Sequence, residues 1–184
     1  MKLKHTEIDG CFVLEPTVFE DERGYFFESY NQEKFEDLTG SRTTFVQDNQ
    51  SFSSKGVLRG LHFQYGEHAQ AKLVRVVTGE VLDVAVDIRP DSPTFGKVVR
   101  TRLSAENHKQ MFIPRGCAHG FVTLSETATF FYKCDNFYNK ASEGGVLYND
   151  SEFDIDWILE DSQLIISKKD KLLPTFDKLV VGQL

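Results

Sequence analysis

The clearest pattern along the chain is the alternation in residues 81–89, VLDVAVDIR. Leu82, Val84, Val86 and Ile88 fall on one face, and Val81, Asp83, Ala85, Asp87 and Arg89 on the other. Period two sustained over this length predicts a strand. Short apolar runs of the same kind recur at KLVRVVTG, KVVRTRLSA, KQMFIPRG, GFVTLSE and ATFFYKCD, with Gly, Pro or Ser-Pro between them. Their spacing of roughly ten residues is that of a sandwich or barrel. Residues 8–30 break into strand-like pieces at Asp9-Gly10, Pro16 and Arg23-Gly24. The one helical stretch is NQEKFEDLTG, residues 31–40, with Asn31 as N-cap and Gly40 as stop. Residues 151–184 are less regular: an acidic piece, then SKKD and an apolar tail. The sequence has no repeat, low-complexity segment or flexible linker. The expectation is a single domain over 1–184, an antiparallel all-β barrel with a few short helices.

Composition agrees with strands, since 16 phenylalanines and 6 tyrosines are many for 184 residues. Lys and Arg number 21 against 28 Asp and Glu, a net charge of -7. Such an acidic surface, without basic runs, excludes general nucleic-acid binding, so an anionic ligand must meet a local cationic pocket. Cys11, Cys117 and Cys134 have no CxxC spacing, and buried free thiols are expected rather than a disulfide framework or zinc knuckle. MKLKHTEIDG has no apolar run behind its lysines, and no apolar stretch is long enough to span a membrane. A soluble cytoplasmic protein is the expectation.

GVLRGLHFQ, residues 56–64, sets Arg59 and His62 three residues apart beside a glycine. A permanent cation next to a side chain that exchanges protons near neutral pH suggests proton transfer beside an anion. Taken alone, His62 reads first as a core histidine satisfied by a backbone carbonyl. PRGCAHGF, residues 114–121, resembles the second motif of cupins, double-sheet barrels with a pocket between the sheets. Metal-binding cupins supply two histidines as HxH in the first motif, and this chain has His62, Phe63 and Gln64 there. Neither His68 nor Glu80 restores the spacing, so no three-histidine metal site is expected.

The segments DERGYFFES, QDNQSFSSKGVLRGLHFQ, AQAKLVRVVTGEVLDVAVDIRPDSPTFGK, IPRGCAHGF, FFYKCDNFY, SEGG and ISKKDKLLP occur here in order. By them the chain, from about residue 8 to residue 175, resembles the dTDP-4-dehydrorhamnose 3,5-epimerase family. The resemblance implies a cupin-like jelly-roll barrel that inverts the two carbons flanking a ketone on a dTDP-linked deoxysugar. The chemistry goes through an enolate and demands no metal or other cofactor.

It implies His62 as base, with Asp170 as its carboxylate partner; the residues alone leave Asp83 open for that place. Tyr132 matches the proton donor on the opposite face, Lys72 the cation near the oxyanion, and His119 a second histidine that binds substrate. Arg23, Arg59 and Lys168 match anionic-ligand contacts, and Glu28, Gln47, Asn49 and Glu143 match polar ones. Tyr138 matches the ring that stacks on thymine, with Phe26 as a second wall. The resemblance also implies a homodimer with exchanged N-terminal strands, through which early residues such as Arg23 and Phe26 would serve the neighbouring pocket.

NKASEGGVLYND departs from the family's more usual glycine-isoleucine-x-tryptophan run, and Phe63 stands where tyrosine is common. Three other readings stay open: an epimerase inverting only carbon 3 or carbon 5, a metal-dependent cupin enzyme, and a non-catalytic nucleotide-sugar binding module.

Overall fold

The computed structural model describes residues 1–179, and the end of the apolar tail, residues 180–184, lies outside the described residues. The first elements are β1 (Lys2–His5), β2 (Phe12–Glu15), β3 (Phe19–Asp21), β4 (Gly24–Phe26) and helix α1 (Gln32–Thr39). Then follow β5 (Gln47–Ser54), β6 (Val57–Gln64), β7 (Lys72–Thr78), β8 (Glu80–Asp87) and β9 (Val98–Ser104). The last are β10 (Gln110–Ile113), β11 (Cys117–Thr123), β12 (Thr127–Cys134), β13 (Glu143–Gly145) and β14 (Ile165–Ile166). One sheet has the order β1-β2-β10-β7-β12-β5 and the other β13-β6-β11-β8-β9, with β14 joining β6 in parallel. The remaining pairings are antiparallel. This is the all-β jelly roll.

The sheets pack face to face through Val74, Val76, Met111, Ile113 and Phe130 on one side and Val81, Ala85, Val99, Leu103 and Phe121 on the other. The alternation in β8 therefore separates two cores rather than core from solvent. Val81 and Ala85 face the inter-sheet core, whereas Leu82, Val84, Val86 and Ile88 meet Val146, Phe153 and Trp157 on the opposite face. The irregular C-terminal segment is thus a cover. It is tied down by Trp157 Nε1, which donates to Tyr148 O (3.0 Å), and by Asp150, whose carboxylate accepts from Phe176 N–H (2.6 Å).

Helix α1 covers the outer face of the six-stranded sheet. The Asn31 side chain accepts from Lys34 N–H, and Gly40 ends the helix at φ 68°. Phe35 is fully buried against Phe12, Leu14 and Phe112. β1 lies before the first strand read from sequence. Its pattern offers only Leu3 between lysines, but pairing with β2 sets Leu3 opposite Leu14. β3 and β4 form a hairpin apart from both sheets, with Phe19 63% and Phe26 70% exposed. All three cysteines are free and buried. Among the described residues, no helix is long and apolar enough to cross a membrane.

Candidate active site

β6 and β11 pair with His62 opposite His119 and Arg59 opposite Phe121. Three residues of β6 thus span two of β11, a bulge centred on Gly60. Gly60 has φ 125°, and a Cβ there would come within 2.5 Å of Gly120 Cα; a Cβ on Gly120 would lie 2.7 Å from Arg59 O. Only glycine at both places lets the strands approach so closely. The bulge also decides which way the side chains point. In a regular strand, residues three apart face opposite ways, whereas here Arg59 and His62 line the same cavity.

That cavity, about 510 Å³, lies between the sheets. The five-stranded sheet contributes Arg59, His62 and His119, and the six-stranded sheet contributes Ser51, Lys72 and Tyr132. Asp170 enters from the short turn after β14. Lys72 pairs with Cys134 and Val74 with Tyr132, so Lys72 and Tyr132 are diagonal neighbours.

His62 Nε2 lies 2.8 Å from Asp170 Oδ1, which leaves Nδ1 as the nitrogen able to exchange a proton with a ligand. Asp170 is 4% exposed. Burial pushes its carboxyl up, but the bond to His62, the imidazole charge, the Gly60 N–H and Ser167 outweigh it and hold it below the usual range. Asp83, the alternative partner, is bound elsewhere: its Oδ1 lies 2.8 Å from His119 Nε2. Two His–Asp pairs therefore stand side by side on adjacent strands. Burial raises the Tyr132 phenol, with Cys134 adding to the shift and Arg59 opposing it, so the hydroxyl keeps its proton at neutral pH. Burial also draws the Lys72 ammonium below its ordinary range, against the pull of Cys134, Asp83 and Glu143.

Gln64 occupies the place of a cupin's second histidine. Its Nε2 donates to the His68 and Phe137 carbonyls, and its Oε1 accepts from Asn139 N–H, so it braces loops. Among the described residues, no three His, Cys, Asp or Glu side chains converge as a metal-ligand group.

Gln47, Asn49, Tyr138 and Glu143 form a second, connected group. Tyr138 N–H donates to Gln47 Oε1 (3.0 Å), Gln47 Nε2 to Asn49 Oδ1 (3.1 Å) and the Tyr138 hydroxyl to Glu143 Oε2 (3.2 Å). The Tyr138 ring is 56% exposed, a free platform. Lys168 does not join this group or line the cavity; it is exposed, and the neighbouring Lys169 pairs with Glu143 (2.7 Å).

Arg23, Phe26 and Glu28 are not brought to the cavity within this chain. Arg23 pairs with Asp21 on the projecting hairpin, and Glu28 is held by Lys34 and Asn31 beside α1. Of the hairpin's rings, Tyr25 packs on His108 (4.7 Å between centroids), while Phe19 and Phe26 stay exposed.

The sequence reading passed over Ser51, Lys169 and the pairing of Asp83 with His119. Ser51 was within reach, since it continues the period-two row of Gln47 and Asn49 along β5.

Comparison with known proteins bears on the family and the fold. The family model described as dTDP-4-dehydrorhamnose 3,5-epimerase matches residues 5–178. The dTDP-4-dehydrorhamnose 3,5-epimerase of Salmonella typhimurium is 58% identical over 97% of each chain. The crystal structure of the enzyme of that name from Elizabethkingia anophelis superposes with a TM-score of 0.94 at 60% identity, covering 97% of this chain and 98% of the other. A Legionella pneumophila relative solved in complex with dTDP-4-keto-L-rhamnose also gives a TM-score of 0.94, at 46% identity over 98% and 95% of the two chains. With its two-sheet barrel and the cavity between the sheets, the chain belongs to the dTDP-4-dehydrorhamnose 3,5-epimerase family.

Proposed function

We propose that the chain is a dTDP-4-dehydrorhamnose 3,5-epimerase, one cytoplasmic catalytic domain that inverts carbons 3 and 5 of dTDP-4-keto-6-deoxy-D-glucose to give dTDP-4-keto-L-rhamnose, for dTDP-L-rhamnose biosynthesis. The observation that carries the reading is the His62–Asp170 pair on one sheet sharing a cavity with Tyr132 on the other. The Legionella complex with dTDP-4-keto-L-rhamnose supports the choice of product.

A C–H bond beside a ketone is acidic because the carbanion spreads onto the oxygen. His62 takes that proton through Nδ1, while Asp170 orients the ring and stabilises the imidazolium. Lys72 and His119 face the developing oxyanion. Tyr132 then delivers its proton to the other face of the carbon and recovers one from solvent while His62 releases the proton it took to solvent, and the sequence repeats at the second carbon. No electrons are exchanged, so the reaction calls for no redox cofactor.

Arg59 serves the diphosphate, Tyr138 stacks on thymine, and Gln47, Asn49 and Glu143 fix the nucleotide and sugar. Lys168, exposed next to the cavity-lining Ser167, serves an anionic part of the ligand outside the cavity. Arg23, Phe26 and Glu28 complete the pocket of a second subunit in a homodimer with exchanged N-terminal strands. The bare aromatic hairpin supports that assembly.

The test is turnover in heavy water. Deuterium is expected at both carbons 3 and 5, and His62→Ala should slow incorporation on the order of 1,000-fold. Label at one carbon alone would make this a single-carbon epimerase, and unaltered exchange in His62→Ala would remove the base from the scheme.

A further inference from the structure

Asp83 sits in the middle of β8 on the face where Val81 and Ala85 pack into the inter-sheet core. It is 0% exposed. Its Oδ1 meets His119 Nε2 at 2.8 Å, but Oδ2 is buried with no hydrogen-bond partner among the described residues. Leucine or valine would remove the stranded oxygen but leave the buried His119 Nε2 without its partner, so the carboxyl group is present for His119 rather than for packing.

Two placements of the proton between the partners are available. A carboxylate accepting from an Nε2–H would leave a charge-bearing, buried oxygen without a hydrogen-bond donor. A neutral acid donating through Oδ1–H leaves Oδ2 as an ordinary carbonyl oxygen, which tolerates isolation far better. If the acid donates to Nε2, that nitrogen is the acceptor and the neutral ring carries its proton on Nδ1, the nitrogen left for the cavity the ring lines.

We propose that Asp83 is held as a neutral carboxylic acid that donates to His119 Nε2, making it a positioning residue that turns an Nδ1–H donor from His119 onto the ketone oxygen of the bound sugar. The inference rests on the epimerase reading above.

The charged and titratable neighbours are compatible with it. Lys72 is the cation that favours the carboxylate form, yet it makes no ion pair with Asp83 among the described residues. The Cys11 thiol nearby is neutral, pushed up to about 12 chiefly by burial. Burial drives Asp83 up and His119 down, each against the attraction of the other, and both movements favour the uncharged pair. His62 stands directly opposite His119, and the charge it gains on taking a substrate proton disfavours a second imidazolium beside it. The contrast with the other pair is instructive, because Asp170 Oδ2 receives the Gly60 N–H at 3.5 Å and its carboxylate is stabilised. Two pairs of the same composition thus keep their protons at opposite ends, one for taking a proton and one for donating a hydrogen bond.

The test reads the tautomer directly. In ¹⁵N-histidine-labelled protein without ligand at neutral pH, long-range ¹H–¹⁵N correlation of His119, assigned by its loss in His119→Gln, should show Nδ1 protonated and Nε2 bare. Asp83→Leu, which fills the core but removes the donor to Nε2, should lower kcat on the order of 100-fold with little change in KM and an unchanged circular dichroism spectrum. Asp83→Asn, whose amide N–H₂ also donates to Nε2, should recover part of that loss. A bare Nδ1, a doubly protonated ring or full turnover in Asp83→Leu overturns the proposal. If Asp83→Leu alters that spectrum, the tautomer in wild type decides. Failure of wild type to epimerise the keto sugar nucleotide would instead overturn the functional reading, which the tautomer measurement leaves separate.

Discussion

Replacing Gly60 by alanine would bring a methyl carbon within 2.5 Å of Gly120 Cα and 2.8 Å of His119 O, at a backbone φ of 125°. Neither strand can yield without disturbing the register that sets His62 opposite His119. Gly60→Ala is expected to cost on the order of 2 kcal/mol of stability, read from the denaturant midpoint, and to lower turnover on the order of 100-fold through misplacement of His62. The residue scale is also where the sequence was most and least informative. Arg59 and His62 draw attention by their chemistry, but their three-residue spacing denies them a common face until the bulge is known. Asp83 looks like one polar position in an alternating strand, and its pairing with His119 depends on β8 and β11 being neighbours, which no local pattern states.

Among the elements, the connection from β8 to β9 is held by a single carboxylate. Asp87 accepts from Arg89 Nε and Nη2, both at 2.8 Å, and from the hydroxyls of Ser92 and Thr94. Burial alone would raise its pKa, but these donors outweigh it and bring it from 3.8 to about 2. Between those values the unfolded chain binds more protons than the folded one, so stability rises with pH there. The stabilisation, about 2 kcal/mol, is complete above pH about 4 and is lost as pH falls through about 2. Asp87→Asn should therefore lower the denaturant midpoint at pH 6, and its deficit relative to wild type should shrink as the pH approaches 2. The elements themselves were legible to different degrees. α1 declares its start and stop through Asn31 and Gly40, whereas β1 is a strand only because β2 lies beside it. Periodicity found β8 but could not say that both its faces are covered, since the cover is supplied by Phe153 and Trp157 far along the chain.

For the whole molecule, the exposed hairpin sets the expectation that two chains share each pocket. Sedimentation should give the mass of a dimer, and Phe19→Ser with Phe26→Ser should raise the monomer fraction. Mixing is more telling. If Arg23 serves the neighbouring cavity, inactive Arg23→Ala and His62→Ala chains, unfolded and refolded together, should regain about a quarter of wild-type activity, because hybrid dimers carry one intact site. If both residues act within one chain, no activity returns. The barrel class was legible because strand periodicity and turn residues repeat along the whole chain, while the cavity was not, because its walls come from strands scattered from β5 to β12 and from a late turn. That late turn bears on biosynthesis. A ribosome makes every strand of the six-stranded sheet, ending with Cys134, before it reaches Asp170, which lies 108 residues after His62. A nascent chain can thus assemble the barrel's framework while its base still lacks a carboxylate, and epimerising power arrives only when the turn that carries Asp170 has docked.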